Sequence, residues 1–446
     1  MSQNLQDRRI GLLGFGIENR ALAHFLQSRK IPFSVCDTRQ PDAPVANVRE
    51  WRIGTDYLDG LTDFDLLFRT PGLSCLDPCL KAARESGIEI SSQTRLFLQL
   101  CPAPILGITG TKGKGTTTSI LHALLATDAA RVFSGGNIGR PPIAFLDELR
   151  SDDRVVLELS SFQLQDLDLS PHIALVLSIT EDHLDYHTDR AEYIAAKRPI
   201  CSHQKATDIL IVNQDCPTAR SFAAHSPAEI WHYSTRSPVA KGAWVDDNKL
   251  WARRPSEEAT VICPTTDIPL RGKHNEGNAA AAVAAAIAFG APATAFADAV
   301  RSLKGLPHRI EYITEYKGIT YYNDSLATTV DAAVAAINSF DEPLLLIAGG
   351  ASKGADFSAL GTCIAASSVR AVLLIGDEAA RIEAAMRQVG AQAAVRHCRD
   401  LREAITIARS TAQAGDVILL SPACASFDQF SSYAERGDLF KQLVAH

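Results

Sequence analysis

Apolar runs that end in small residues and open into helix-like sequence recur along this chain, and that alternation restricts the fold more than any other feature. "RIGLLGFG" is followed by "RALAHFLQS", and "ILGITGTKGKG" by "TTTSILHALL". Further along, "PLLLIAGG", "AVLLIGD" and "DVILLSPA" each carry small residues at the end of the run. Strand-length runs alternating with helical stretches build parallel sheets with crossover helices, the α/β class. Ligands of such sheets gather at the carboxyl ends of the strands, where the small residues stand. The 446 residues, at about 100–200 per domain, divide at two points into three domains. We expect a Rossmann-like N-terminal domain over residues 1–103, closing near "LFLQLCPAP". A central domain over 104–306 and a second Rossmann-like domain over 307–446 follow. "HNEGNAAAAVAAAIAFG" reads as helix, and "IEYITEYKGITYYND" as a hairpin turning at Lys317-Gly318. The segment from about Ser226 to Ile268 reads as irregular.

Composition narrows the function. A net charge of -7 lacks the basic field of a nucleic-acid or membrane-surface binder, so we expect neither partner. No signal-like leader and no run of about 20 apolar residues is present, which leads us to expect a cytoplasmic chain. Ten cysteines without a CxxC pair suit free thiols in a reducing compartment better than disulfides or zinc.

The stretch "ITGTKGKGTTTSILHALL" carries the strongest chemical signal. A strand, a glycine-rich turn and a helix start aim backbone N–H groups at one point, where the helix dipole also favours negative charge. Lys114 can reach the outer phosphates of a nucleotide. The usual P-loop places Ser or Thr directly after the lysine; here Gly115 intervenes before Thr116. A merely flexible glycine loop is the alternative, and the flanking strand and helix favour a phosphate cradle. Glu158, ending "RVVLE", can hold Mg²⁺ or cap the next helix. His183 ends another apolar run and Lys197 lies on a helix downstream; their value comes only in combination. In the first domain Gly14 and Gly16 suggest a dinucleotide turn with Asp37 at about the ribose-binding distance. Asn19 replaces the third glycine, so the loop fits a diphosphate or a uridine edge better than a dehydrogenase cofactor.

Together, "GITGTKGKGTT", "LELSSFQL", "TEDHLDYH", "AAKRPI", "GKHNEGNAAAA", "GLPHRIE", "YYNDSLATT", "GGASKGADFS" and "SPACASFDQFSSYAERGDLF" resemble the Mur ligase family across essentially the whole chain. The resemblance implies a UDP-binding N-terminal domain, a central P-loop ATPase and a C-terminal domain that brings the amino acid. It also implies that ATP phosphorylates a carboxylate of UDP-N-acetylmuramoyl-L-alanine and that the amine of D-glutamate attacks the acyl phosphate, in peptidoglycan precursor synthesis. The implied chain is a monomer that uses ATP and two Mg²⁺ ions.

By that resemblance, Gly110, Thr111, Lys112, Gly113, Lys114, Gly115, Thr116 and Thr117 cradle the ATP phosphates. Thr116, Glu158, His183 and a carbamylated Lys197 would hold the metal ions, and Lys114, Glu158, His183 and Lys197 would be catalytic. Asn275 and Asn278, three apart on one helix face, and Arg309 and Asp324 from the third domain would approach ATP. Asp37, Thr38, the loop Thr70-Pro71-Gly72, Asn137, Ser160 and His183 would contact the UDP-sugar. Thr328, Lys353, Ser426 and Tyr433 would bind glutamate. His308 can equally be a packing residue.

Two departures touch the amino-acid pocket, because glutamate-adding members carry lysine at the place of Leu326 and phenylalanine at that of Tyr433. The first removes a cation, which leaves an L-glutamate-adding variant as an alternative. A folylpolyglutamate synthase-like ligase is a second, although the N-terminal domain would then have nothing to bind. A P-loop switch without bond-forming chemistry has no use for His183 and Lys197 beside Glu158.

Overall fold

In the computed structural model, which describes residues 5–40, 45–127, 130–137, 139–180, 187–352 and 354–445, three sheets follow one another along the chain. The first is parallel: β1 (Ile10–Leu13), β2 (Phe33–Asp37), β3 (Val48–Ile53), β4 (Leu66–Arg69) and β5 (Glu89–Ser91), in the order β3-β2-β1-β4-β5. β1 and β4 are buried on both faces, which is why their sequences are continuous apolar runs. The strand order reverses between them, the crevice where doubly wound sheets take ligands.

The central sheet contains β6 (Ile105–Thr109), β7 (Val132–Gly136), β8 (Arg154–Glu158), β9 (Ile173–Val176), β10 (Ile209–Asn213), β11 (Glu229–Ser234), β12 (Gly242–Asp246), β13 (Lys249–Arg253) and β14 (Thr260–Pro264). Their order is β14-β13-β12-β11-β10-β9-β6-β8-β7. The stretch expected to be irregular thus supplies four strands, β11 to β14. Trp231 and Tyr233 of β11 alternate into the core, and β12 and β13 form a hairpin through Asp247 and Asn248, with φ +48° and +53°. Asp and Asn tolerate the two left-handed positions that a two-residue hairpin requires. Trp244 and Trp251 stack across it with ring planes 4° apart. Charges and prolines between such short strands hide the alternation in the sequence.

The third sheet holds β15 (Glu311–Tyr316), β16 (Ile319–Asn323), β17 (Leu344–Gly349), β18 (Val369–Ile375), β19 (Ala394–His397) and β20 (Val417–Leu420), in the order β15-β16-β20-β17-β18-β19. The β15–β16 hairpin turns at Lys317 and Gly318, with φ +53° and +74°, as expected. β19 was not legible, because "AVRH" is short and largely exposed.

The chain divides into two compact units, Met1–Asp267 with Glu276–Val300 and Ile268–Asn275 with Arg301–His446. The first unit holds the first two sheets and the second holds the third. Within the first, Ala279 to Ala286 of the helix His274–Ala288 are fully buried; side chains no larger than Val283 let that helix lie close to its neighbours. Among the described residues no helix is long and apolar enough to cross a membrane.

Candidate active site

The glycine loop lies between β6 and the helix Lys114–Leu125, with Gly113 as its N-cap at φ +88°. A Cβ on Gly113 would sit 2.4 Å from Asn278 Oδ1, and one on Gly110, at φ +155°, 2.7 Å from Leu177 Cβ. Side chains are excluded at both positions, so backbone N–H groups line the helix start, an arrangement that favours a phosphate. Lys114 Nζ folds over the loop and donates to the carbonyls of Gly110 and Thr111, each at 3.0 Å. Gly115 falls in the first helical turn beside the buried Thr116, and Lys112 is exposed. Thr117 Oγ1 donates to Asn278 Oδ1 at 3.3 Å.

Glu158 pairs in register with Ile108 of β6 on one side and Gly136 of β7 on the other, which sets the residue beside the end of β6 that leads into the loop. That side chain is buried, and Oε1 accepts from Asn137 Nδ2 at 3.1 Å. Asn137 N donates to the Glu158 carbonyl at 2.8 Å. The close approach depends on Gly136, at φ +112°, where a Cβ would lie 2.1 Å from the Glu158 carbonyl oxygen. Glu158 does not cap the next helix: Ser160 does, in a capping box with Gln163.

Lys197 ends the helix Arg190–Lys197 and is 2% exposed, with Nζ 4.5 Å from the centroid of the Tyr193 ring. The Tyr193 hydroxyl lies 3.0 Å from Thr111 Oγ1, which also donates to the Thr180 carbonyl at 3.2 Å. The helix that ends in Lys197 is therefore held against the phosphate loop through Tyr193, on whose ring the Lys197 Nζ rests. The structure thus brings Lys114, Thr116, Glu158, Lys197, Asn137, Ser160 and Asn278 to one end of the central sheet, while His183 lies outside the described residues. The Thr116 hydroxyl and Glu158 carboxylate are hard oxygen donors, a chemistry that suits Mg²⁺. Among the described residues no cluster of three or more His, Cys, Asp or Glu forms a metal site.

A polar chain next to the Tyr193 helix is not legible from the residues alone. Ser161 Oγ lies 2.9 Å from His187 Nε2, His187 Nδ1 meets the Glu192 carboxylate, and Gln165 Nε2 donates to Glu192 Oε1 at 2.7 Å. The imidazole stacks on Phe162 and meets Tyr193 edge-on. His187 stands in the motif "TEDHLDYH", but only the fold reveals its partners.

At the carboxyl end of the first sheet, Asp37 Oδ2 accepts from Phe15 N at 2.5 Å, and Oδ1 accepts from Arg39 N and Thr38 Oγ1, both at 3.1 Å. Burial pushes this carboxyl up, but the hydrogen bonds prevail and hold it below its ordinary value. Asn19 Nδ2 donates to the carbonyls of Leu13, Gly14 and Phe68, tying down the loop that a third glycine would otherwise close. Gly14 and Thr70 touch, since a Cβ on Gly14 would lie 2.5 Å from Thr70 Cγ2. The two loops assigned to the UDP-sugar are therefore neighbours, with Gly72 on the second.

In the second unit, Asp324 follows β16 and accepts from Ser421 Oγ at 2.7 Å and Ile310 N at 3.1 Å. Burial pushes its carboxyl up to about 7 against those bonds and the charge of Arg309. His308 is buried, and its Nδ1 lies 2.9 Å from Asn323 Nδ2. Asn275 Nδ2 donates to the Arg271 carbonyl at 2.6 Å. The isolated bridge between Ala351 and Ala425 joins the loops after β17 and β20, so Ser426 lies beside the "GGASKG" loop. Lys353 itself lies outside the described residues. Thr328 follows β16, and the exposed Tyr433 is held through its carbonyl, which accepts from Ser325 Oγ at 2.8 Å.

Comparison with known proteins matches the chain nearly from end to end. Residues 8–92 match the Mur ligase MurD-like N-terminal domain, 108–286 the Mur ligase middle domain and 308–424 the Mur ligase glutamate ligase domain. A UDP-N-acetylmuramoylalanine–D-glutamate ligase of Symbiobacterium thermophilum is 39% identical over 98% of this chain and 97% of its own. One of Acetivibrio thermocellus is 36% identical over 99% and 97%. A solved MurF ligase of Thermotoga maritima, in complex with ADP, shares the fold with a TM-score of 0.59 at 16% identity, covering 100% of this chain and 97% of that one. With its phosphate loop, Glu158 and Lys197 drawn to one sheet end and relatives matched from end to end, this chain belongs to the Mur ligase family, on its MurD-like branch.

Proposed function

We propose that the chain is an ATP-dependent ligase that joins D-glutamate to UDP-N-acetylmuramoyl-L-alanine through an acyl phosphate, a step of peptidoglycan precursor synthesis. The observation that carries this reading is the convergence of the glycine loop, Glu158 and Lys197 in a chain whose full-length relatives bear that name. A carboxylate is a poor electrophile with a poor leaving group. Transfer of the γ-phosphoryl group from ATP to a carboxylate oxygen corrects both defects and releases ADP. The amine then attacks the carbonyl carbon, loses a proton, and phosphate departs as the amide forms.

Each group has a part in this chemistry. The N–H groups from Gly110 to Thr117 and Lys114 hold and orient the phosphates. Thr116, Glu158, His183 and Lys197 would hold Mg²⁺, two ions in our reading, with Lys197 as its carbamate; an ammonium would repel a cation, whereas the carbamate supplies oxygen. Held there, such ions would supply charge neutralisation for the transferred phosphoryl group. Asp37, Thr38, Gly72, Asn137 and Ser160 orient the UDP-sugar. Thr328, Lys353, Ser426 and Tyr433 bind the glutamate carboxylates and backbone, and Asn275, Asn278, Arg309 and Asp324 bind ATP. We assign these roles to domains 1–103, 104–306 and 307–446. All ten cysteines are free, which supports a cytoplasmic enzyme, and we infer that it acts as a monomer.

Leu326 in place of a lysine favours weighing L-glutamate as the second reading. ADP release measured with UDP-N-acetylmuramoyl-L-alanine and either enantiomer decides it. We expect turnover to require the UDP-sugar and D-glutamate together. Equal or faster turnover with L-glutamate would establish the second reading, and no dependence on the UDP-sugar would refute both.

A further inference from the structure

The turn Ser160–Asp166 directly follows Glu158, and side chains from the first sheet grip it. Arg69, the last residue of β4, has a fully buried side chain, and that of Asp166 is 3% exposed. Arg69 Nε donates to Asp166 Oδ2 at 2.8 Å, and Nη2 donates to Asp166 Oδ2 at 2.5 Å and to the Phe162 carbonyl at 2.8 Å. The remaining nitrogen turns back onto its own loop: Nη1 donates to the Leu73 carbonyl and, at 3.4 Å each, to those of Thr70 and Pro71. A planar fork of fixed donors can serve two segments at once, as a lysine could not. The helix that follows the first-sheet glycine loop reaches the same turn. Glu18, two residues beyond Gly16, accepts from Gln163 Nε2 at 2.7 Å and from Gln93 Nε2 at 3.0 Å.

We propose that the buried Arg69–Asp166 pair is a positioning device that fixes the loop Thr70–Leu73 against the turn after Glu158 and thereby sets the affinity for the UDP-sugar. This rests on the ligase reading above. Stability alone is a weak reason for such a pair, since well-packed apolar residues replace buried ion pairs at little or no loss. What apolar residues cannot supply is the set of donors to the carbonyls of Thr70, Leu73 and Phe162. Both residues act through the loop and neither is required to touch substrate.

Two variants test this in the full chain: Asp166→Asn, and the double replacement Arg69→Met with Asp166→Leu, which keeps volume and removes the charges. Calorimetric affinities for UDP-N-acetylmuramoyl-L-alanine and for ADP, KM values for both substrates, and Tm are measured for each. We expect affinity for the UDP-sugar to fall at least tenfold in both variants, with ADP affinity and KM for ATP within about twofold of wild type and Tm of the double variant preserved. Wild-type affinity for the UDP-sugar in the double variant overturns the proposal. So does a joint loss of Tm and both affinities in both variants, which marks a purely structural pair. Failure of the wild-type chain itself to bind the UDP-sugar refutes the ligase reading instead.

Discussion

Asp324 couples folding stability to pH. Its carboxyl is pushed by burial from 3.8 to about 7, so on raising the pH the unfolded chain ionises it first and the native state resists. The stability associated with the neutral form is fully present below about pH 3.8 and is lost as pH rises through about 7. Asp324→Asn keeps the neutral form at every pH. Relative to wild type it should therefore gain roughly 1–3 kcal/mol of stability between pH 5 and pH 8, read as Tm of nucleotide-free protein. A difference that does not change with pH would remove the argument. At this scale the glycine loop was legible from its strand and helix context, whereas Glu158 and Lys197 gained meaning only in combination, through the resemblance of the surrounding motifs. His187, Glu192 and Arg69 were not legible. A lone charged or imidazole side chain reads as solvated until its partners, brought from elsewhere in the chain, are known.

The elements around Glu158 depend on backbone approach. Gly136 lies at φ +112° with the Glu158 carbonyl where a Cβ would go, whereas Gly139, at φ +83°, has nothing within 4 Å of that position. Gly136→Ala should cost about 2–4 kcal/mol and displace Asn137 and Glu158. Gly139→Ala bears only the conformational cost, about 1 kcal/mol. Denaturant unfolding of both variants and their rates of ADP release check this; equal costs would show that crowding at Gly136 is relieved elsewhere. Among elements, the strands β1, β4, β6, β8, β17, β18 and β20 announce themselves as apolar runs, since a strand covered on both faces has no polar side to interrupt it. β11 to β14 and β19 do not: they are short or lie toward a sheet edge, and their pattern is broken by charges and prolines.

For the whole molecule, the ligase reading implies a strict need for a divalent cation. Chelation with EDTA should abolish ADP release and added Mg²⁺ should restore it. Lys197→Ala should lower turnover by about 100-fold or more, with partial recovery on adding a short carboxylic acid that returns an oxygen ligand to the site. Activity untouched by the substitution would exclude the carbamate.

The α/β class, the order of the phosphate loop and its carboxylate along the chain, and the family can be read from the residues alone, because these are carried by local periodicity and by contiguous motifs. Which residues meet depends on the fold. The register of β8 against β6 and β7 sets Glu158 beside the loop, the Tyr193 hydroxyl brings the Lys197 helix to Thr111, and Arg69 finds Asp166 across 97 residues. Such pairings arise from strand order and helix packing, which local sequence limits to a few choices and only the folded core selects.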